Sequence, residues 1–175
     1  MKIIGISGAH SGCGKTEAAC ILLRGLSSSS SSSGWGAIKC TREGLYASVI
    51  DDPAVLGEHG KDTERMIGAG ASEVLWVRAS AEEMAEALDI ALPRMAHLEG
   101  VVVEGNRAVE VLNPDIVIFV MGSGGLSGVK PGAQRLMDMA QVILSEGGTI
   151  RHGRAASFDL HDKAWVAHVL DEVRK

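Results

Sequence analysis

The chain has 175 residues, of which 46% are hydrophobic and 22% charged, the balance of one globular domain. Its formal net charge of −5 disfavours binding to nucleic acid, and no apolar run reaches the ~18–20 residues of a membrane span. Glycines break the N-terminus too soon for a signal peptide, and three cysteines at no metal-binding spacing are typical of a reducing compartment. We therefore expect one cytoplasmic domain over residues 1–175 that contacts neither nucleic acid nor membrane.

Short apolar strands alternate with helical patterns in the first half of the chain. Strands are predicted over Lys2–Ser7, Trp35–Cys40 and Val74–Arg78, and helices over Lys15–Leu26 and Asp62–Ala69. Ser27–Ser33 is a run of serines that buries nothing, and we expect a flexible loop there. Thr41–Lys61 is expected to be irregular, with a turn where Asp51 and Asp52 precede a proline.

The same alternation continues in the second half. A capping box of Ser80 and Glu83 predicts a helix with its apolar face at Met84, Leu88, Leu92 and Met95, ended or bent by Pro93. Further strands are predicted over Gly100–Gly105, Asp115–Met121 and Val142–Ser145, and helices over Pro131–Met139 and around Val166–Val173. Strands that are apolar on both faces and separated by helices indicate a doubly wound, mostly parallel α/β sheet with helices on both faces.

A phosphate-binding loop follows the first strand and opens the first helix. Its residues are Gly8, Ala9, His10, Ser11, Gly12, Cys13, Gly14, Lys15 and Thr16, with alanine at position 9 where the stricter motif has glycine. Glycines let successive backbone N–H groups turn inward around an anion, and the helix N-terminus adds positive potential. Lys15 is expected to reach the β- and γ-phosphates, and Thr16 to place its hydroxyl on Mg²⁺.

Two acidic residues are candidates to complete a magnesium site. Glu104 follows three valines at the carboxyl end of a predicted strand, where open α/β sheets bind ligands, although an ordinary strand-end charge is the alternative. Asp62 either caps the helix that follows it or helps to hold the metal and to order a loop around the γ-phosphate, and the two roles are compatible. We assign catalytic roles to Lys15, Glu104 and Asp62, and metal-binding roles to Thr16, Glu104 and Asp62.

Two further groups allow a functional and a structural interpretation. His10 and Cys13 lie within a loop that binds through its backbone, which favours bystanders over a catalytic pair. Arg151, His152 and Arg154 form a basic cluster that is either a solvated loop or a contact to an anionic ligand.

Five segments together resemble a known family. In chain order they are Ile4–Thr16, Ile38-Lys39, Gly60-Lys61-Asp62-Thr63, Ala69-Gly70-Ala71 and Val103-Glu104-Gly105. This set resembles protein B of molybdopterin-guanine dinucleotide biosynthesis (MobB), which belongs to the same broad class as dethiobiotin synthetase and the signal-recognition-particle GTPases. The resemblance covers roughly residues 1–122. It implies GTP binding, weak hydrolysis, a homodimer, and a partner that transfers a guanine nucleotide to the molybdenum cofactor.

The sequence departs from this family at two points. Lys39 is followed by Cys40 and Thr41 where the family has histidines, and Gly105 is followed by Asn106-Arg107 where the family has an aromatic residue and lysine. The guanine-reading Asn-Lys-x-Asp motif is absent, so GTP rather than ATP is implied by the resemblance alone. The departures leave room for an ATP-dependent small-molecule kinase or ligase resembling dethiobiotin synthetase, with an acceptor site in Thr41–Lys61. A non-catalytic nucleotide switch is a third possibility.

Overall fold

The computed structural model describes residues 1–29, 33–42 and 46–175. Within them, seven strands run parallel, and a short eighth is antiparallel at one edge of the sheet. The strands are β1 (Lys2–Gly8), β2 (Trp35–Arg42), β3 (Ser48–Ile50), β4 (Val74–Ala79), β5 (Gly100–Glu104), β6 (Ile116–Val120), β7 (Val142–Ser145) and β8 (Ala156–Asp159). The helices are α1 (Lys15–Ser29), α2 (Pro53–Leu56), α3 (Asp62–Gly68), α4 (Met84–Arg94), α5 (Asn106–Leu112), α6 (Gln134–Met139) and α7 (Ala164–Val173).

The strand order is β3-β4-β2-β5-β1-β6-β7-β8, which places β1 between β5 and β6. Every residue of β5 and β6 is buried, as a strand covered by helices on both faces requires. One face of the sheet packs against α1, α3 and α7, and the other against α4, α5 and α6. The predicted doubly wound, mostly parallel α/β architecture is therefore confirmed.

The serine run begins inside a helix. Helix α1 continues to Ser29, so the prediction of a loop is wrong for residues 27–29, and residues 30–32 lie outside the described part of the chain. The hydroxyls of Ser28 and Ser29 donate to the carbonyl oxygens of Arg24 and Gly25, at 2.8 Å and 3.0 Å. Bonding to the preceding turn lets serine continue a helix that its propensity alone would not favour.

The predicted irregular segment Thr41–Lys61 contains regular structure. Strand β2 runs on to Arg42, β3 pairs with β4, and Asp52 caps α2 by accepting from the backbone N–H of Ala54 at 2.9 Å. Proline is at the first position of α2, where its missing N–H costs nothing. The expectation of an irregular segment is thus wrong for these elements, and residues 43–45 lie outside the described residues.

Two elements of the second half were not predicted: α5, directly after Gly105, and β8, after the basic cluster. The helix predicted from Pro131 starts as a 3₁₀ turn and becomes α-helical at Gln134. The capping box is present, since Ser80 and Glu83 bond each other's backbone N–H reciprocally. Nowhere in the described ranges is a helix both long and apolar enough to cross a bilayer.

Candidate functional site

The loop of residues 8–16 lies at the carboxyl edge of the sheet, between the ends of β5 and β6. Gly8 is in register with Val120, the last residue of β6, and Ile6 with Glu104, the last residue of β5. Ligands bind at this edge of open α/β sheets, at the point where the strand order reverses. The fold therefore brings the motif and the strand-end acid together.

Two glycines of the loop are required by its geometry. Gly14 has a φ of +98°, and a Cβ on it would lie 3.2 Å from Cδ2 of Leu160, which backs the loop from the end of β8. Gly8 has no room for a side chain, because a Cβ there would lie 2.5 Å from Sγ of Cys13 and 2.8 Å from the carbonyl oxygen of Val120. Any side chain at these two positions would therefore disrupt the shape of the loop.

Asn106, the first residue of α5, fixes the first residue of the loop. Its side-chain oxygen accepts from the backbone N–H of Gly8 at 2.9 Å, and its side-chain NH₂ donates to the carbonyl oxygen of Gly8 at 2.8 Å. The side-chain amide thereby makes the two hydrogen bonds to β1 that a backbone residue of a neighbouring strand would make. The sequence shows Asn106 only as a residue after a strand, so this role was not predicted.

The remaining side chains of the loop have separate partners. Nζ of Lys15 donates to the carbonyl oxygen of His10 at 2.7 Å and lies 3.7 Å from Sγ of Cys13. His10 places Nδ1 2.8 Å from the carbonyl oxygen of Ser11, while Cys13 is buried among apolar side chains. Because His10 and Cys13 are engaged with different atoms, their geometry favours the structural interpretation over a nucleophile–base pair.

A compact charged cluster lies beside the loop. The Thr16 hydroxyl donates to Oε2 of Glu104 at 2.9 Å. Nζ of Lys39 lies 2.7 Å from Oε1 of Glu104, 2.6 Å from Oδ2 of Asp62 and 3.3 Å from Oγ1 of Thr16. The structure thus brings together Thr16, Glu104 and Asp62, and adds Lys39, which was not among the predicted site residues.

The electrostatics of the cluster favour its charged forms. Burial by itself would lower the pKa of Lys39, but the negative charge of Glu104 and the hydrogen bond to Asp62 outweigh it, so this pKa is raised. Burial would likewise raise the pKa of Asp62, but the hydrogen bond and charge of Lys39 lower it. The ammonium group and the Asp62 carboxylate therefore stay ionised around neutral pH.

Asp62 does not cap α3. The cap position is held by Lys61, without a side-chain cap bond, and Asp62 is the first helical residue. Its carboxylate points to Lys39 instead, and its other oxygen lies 3.7 Å from Nη1 of Arg65. The capping interpretation of Asp62 is therefore wrong. Helix α3 instead positions the Asp62 carboxylate within the charged cluster.

The loop and the cluster line one cavity of about 330 Å³, named the phosphate cavity after the loop motif. Its walls include Gly12, Lys15 and Thr16 from the loop, and Lys39 and Glu104 from the neighbouring strands. The donors that meet here are carboxylate and hydroxyl oxygens, the ligands that a hard cation such as Mg²⁺ prefers. Across the described residues no three His, Cys, Asp or Glu gather for a metal, but magnesium in nucleotide sites commonly uses one or two carboxylates together with phosphate oxygens.

Two further cavities lie at the same edge of the sheet. One of about 240 Å³ shares Lys39 and Asp62 with the phosphate cavity and has Trp76 in its wall. Another of about 450 Å³ lies by Gly105 and Asn106 and has the side chains of Arg42 and Arg107 on its lining.

The basic cluster is not part of this site. Arg151, His152 and Arg154 precede β8, which is parallel to β7, so they lie at the amino-terminal edge of the sheet, opposite the loop. His152 pairs with Asp138 at 2.8 Å beside a cavity of about 700 Å³. A contact from this cluster to an anion held by the loop is excluded by the topology.

Comparison with known proteins agrees with the fold. No protein-family model and no curated protein match the chain. Among solved structures, it is similar to the X-ray crystal structure of a MobB protein homolog from Bacillus stearothermophilus, with a TM-score of 0.54 over 99% of each chain and 15% sequence identity. At that identity the likeness shows a shared fold, the one that the motif resemblance predicted.

Proposed function

We propose that this protein binds a purine nucleoside triphosphate with Mg²⁺ and hydrolyses it slowly, with GTP rather than ATP as its nucleotide. The observation that carries the proposal is the meeting of the complete Gly14-Lys15-Thr16 end of the loop with Glu104, through the 2.9 Å bond from Thr16. The preference for GTP, the role in molybdenum-cofactor maturation beside a guanylyltransferase, and the homodimer are proposed from the family resemblance.

The chain's own groups define how such a site works. The backbone N–H groups of the loop bind the phosphates, and Lys15 exchanges its bond to the His10 carbonyl for one to the β- and γ-phosphates. Thr16, Glu104 and Asp62 would hold the metal, which when bound neutralises phosphate charge. Glu104 either fixes the metal's ligand shell or orients the attacking water. Catalysis by positioning and charge neutralisation alone is expected to be slow.

Calorimetry and thermal-shift measurements with ATP, GTP and CTP, each with Mg²⁺, test this proposal. We expect stabilisation by GTP above ATP in the wild-type protein. Lys15→Ala should abolish nucleotide-induced stabilisation, while Lys2→Ala, at the opposite end of β1, should retain it. No binding of any triphosphate by the folded protein would overturn the proposal, and unchanged binding by Lys15→Ala would overturn the site assignment.

The partner and the oligomer need separate measurements. Co-purification with a molybdenum-cofactor nucleotidyltransferase, in the presence and absence of GTP, tests the accessory role. Analytical ultracentrifugation tests the homodimer. A protein that neither binds such a transferase nor alters its rate has a different role in the cell, whatever its nucleotide.

A second candidate function is an ATP-dependent kinase or ligase acting on a small molecule. The observation in its favour is the 450 Å³ cavity with Arg42 and Arg107 beside the end of β5, within the ~300–1,000 Å³ range of small-molecule sites. ATP preferred over GTP, with turnover that appears only when an acidic acceptor is added, would favour this candidate. Hydrolysis unchanged by Glu104→Gln, with nucleotide-dependent partner binding, would instead favour a non-catalytic switch.

A further inference from the structure

Lys39 occupies the centre of the charged cluster in a way that resembles a bound cation. Its ammonium group lies within 3.3 Å of one oxygen from each of Glu104, Asp62 and Thr16, the three residues proposed to hold the metal. Lys39 and Glu104 are register partners on adjacent parallel strands, so the sheet itself brings them together.

Burial makes this arrangement necessary for the protein without nucleotide. The side chain of Glu104 is 2% exposed and that of Lys39 13% exposed. A carboxylate so deeply buried is strongly unfavourable unless a positive charge and hydrogen bonds compensate it. Thr16 supplies one hydrogen bond, and Lys39 supplies the charge.

The same arrangement conflicts with a divalent cation at these oxygens. A divalent ion and an ammonium group within ~3–4 Å of one another repel in a partly buried site, because their charges have the same sign. Lys39 also occupies the carboxylate oxygens that a metal would coordinate, so a metal binds these oxygens only when Lys39 releases them. Its flexible stem allows this, and its side chain lines both the phosphate cavity and the neighbouring cavity by Trp76.

We propose that Lys39 is an internal cation that holds the metal position closed in the nucleotide-free protein and moves to the terminal phosphate when metal and nucleoside triphosphate bind together. This inference rests on the proposed function and adds to it a catalytic residue that contacts the transferred phosphoryl group. A triphosphate receives the displaced ammonium group, whereas a diphosphate offers it no γ-phosphate. Lys39 thus couples metal binding to recognition of the triphosphate.

The test compares Lys39→Met with Lys61→Met. Methionine keeps the length of the stem and removes the charge. Lys61 is a matched control because its ammonium group pairs with Glu58 at 2.6 Å and lies over the ring of Trp76, and because Lys61 does not line the phosphate cavity. Binding of Mn²⁺ to the nucleotide-free proteins, followed by electron paramagnetic resonance, should be ~10-fold or more tighter for Lys39→Met than for wild type, within the ~5–150-fold range of such couplings. Lys61→Met should behave as wild type.

A second measurement concerns the nucleotide. The ratio of triphosphate to diphosphate affinity, measured by calorimetry with Mg²⁺, should fall by ~10-fold in Lys39→Met and stay constant in Lys61→Met. Wild-type protein that binds triphosphate while Lys39→Met shows neither change would overturn this inference and leave the proposed function intact. Wild-type protein that binds no triphosphate overturns the proposed function and this inference with it.

Removal of the charge from Lys39 leaves buried Glu104 without its cation, so folding needs its own control. The double variant Lys39→Met/Glu104→Gln has no buried carboxylate to compensate. We expect its melting temperature without metal to exceed that of Lys39→Met, and its Mn²⁺ affinity not to rise above that of wild type. A double variant that binds Mn²⁺ as tightly as Lys39→Met would place the metal elsewhere and contradict the inference.

Discussion

At the scale of the single residue, Asn106 fixes the start of the phosphate loop, because one side chain serves both the N–H and the C=O of Gly8. Asn106→Ala should lower the free energy of unfolding by about 1–3 kcal/mol, since two partly buried backbone groups lose their partner. Asn106→Asp, which keeps the acceptor and loses the donor, should weaken nucleotide binding as well. Urea denaturation and calorimetry measure both effects.

Gln134→Ala is the control for this change, since it removes an exposed amide that donates to a surface carboxylate, that of Asp138 at 3.0 Å. Its unfolding free energy should change by less than about 0.5 kcal/mol. Equal losses in the two variants would show that Asn106 has no special role in the loop.

The Lys39–Asp62 pair predicts a defined pH dependence. The lowered pKa of Asp62 contributes stability that is present above its ordinary value of 3.8 and is lost as the pH falls through the lowered pKa. The raised pKa of Lys39 contributes stability below 10.5 that is lost as the pH rises through the raised pKa. Asp62→Asn should therefore be less stable than wild type by the same amount at pH 5.5 and 7, with a difference that shrinks only below pH 3.8.

Urea unfolding of both proteins over this pH range is the measurement. A difference that has already disappeared at pH 5 would contradict the lowered pKa of Asp62. A difference that is constant down to the acid unfolding of the protein would show that the carboxylate contributes through packing and not through its charge.

On the level of secondary-structure elements, the contact between α1 and α7 explains a glycine in the middle of a helix. A Cβ on Gly25 would lie 2.4 Å from Cγ1 of Val166, a buried β-branched side chain with little freedom to move. Gly25→Ala should therefore destabilise the protein by about 1–3 kcal/mol, against the usual gain from alanine in a helix.

Gly68→Ala is the matched control, because Gly68 is also helical and a Cβ there has nothing within 4 Å. It should be neutral or stabilising by up to about 1 kcal/mol in thermal or urea unfolding. A Gly25→Ala protein as stable as Gly68→Ala would show that α7 can shift away from α1 without cost.

The elements that could be predicted are those with a strong local signal. Strands such as β5 and β6 are continuous apolar runs, and the Ser80–Glu83 capping box forms the turn directly before α4. The missed elements have weak signals: β3 has three residues, β8 is half-buried at an edge, and α5 is a short helix without a side-chain cap. Their formation depends on contacts with neighbouring strands and helices. Such contacts cannot be inferred from the periodicity of the sequence.

At the scale of the whole molecule, the three cysteines lie on both faces of the sheet, so their reactivity can be used to follow the unfolding of each face. Cys13 and Cys20 are buried on the α1 side, and Cys40 on the α4 side. Burial, assisted by the charge of Glu104, raises the pKa of Cys40 to about 12, and burial also raises the pKa of Cys20. A thiol-specific chromogenic reagent at pH 8 should therefore react slowly with the native protein and with three thiols after denaturation.

Thiol reactivity followed along a urea titration shows whether the two faces unfold together. All three should become reactive in one transition that coincides with the loss of circular dichroism, as expected for a small cooperative protein. One thiol that reacts quickly in the native protein would reveal a local opening on its side of the sheet.

The candidate site was only partly predictable. Lys15, Thr16 and Glu104 follow from a motif and from a charge at the end of an apolar strand, both of which are local patterns. Lys39 and Asn106 are different, because Lys39 meets Glu104 across 65 positions and Asn106 meets Gly8 across 98. Such partners become visible only when the order of the strands is known.

Leu160, which backs Gly14, links the phosphate loop to a distant part of the chain. Trp165, itself fully buried, donates from its indole N–H to the carbonyl oxygen of Leu160 at 3.0 Å and fixes it there. A ribosome therefore makes the loop well before its apolar support. Until the residues around Leu160 and Trp165 have left the exit tunnel, a nascent chain carries the motif without the side chain that backs Gly14, so the loop should reach its native shape only after they emerge.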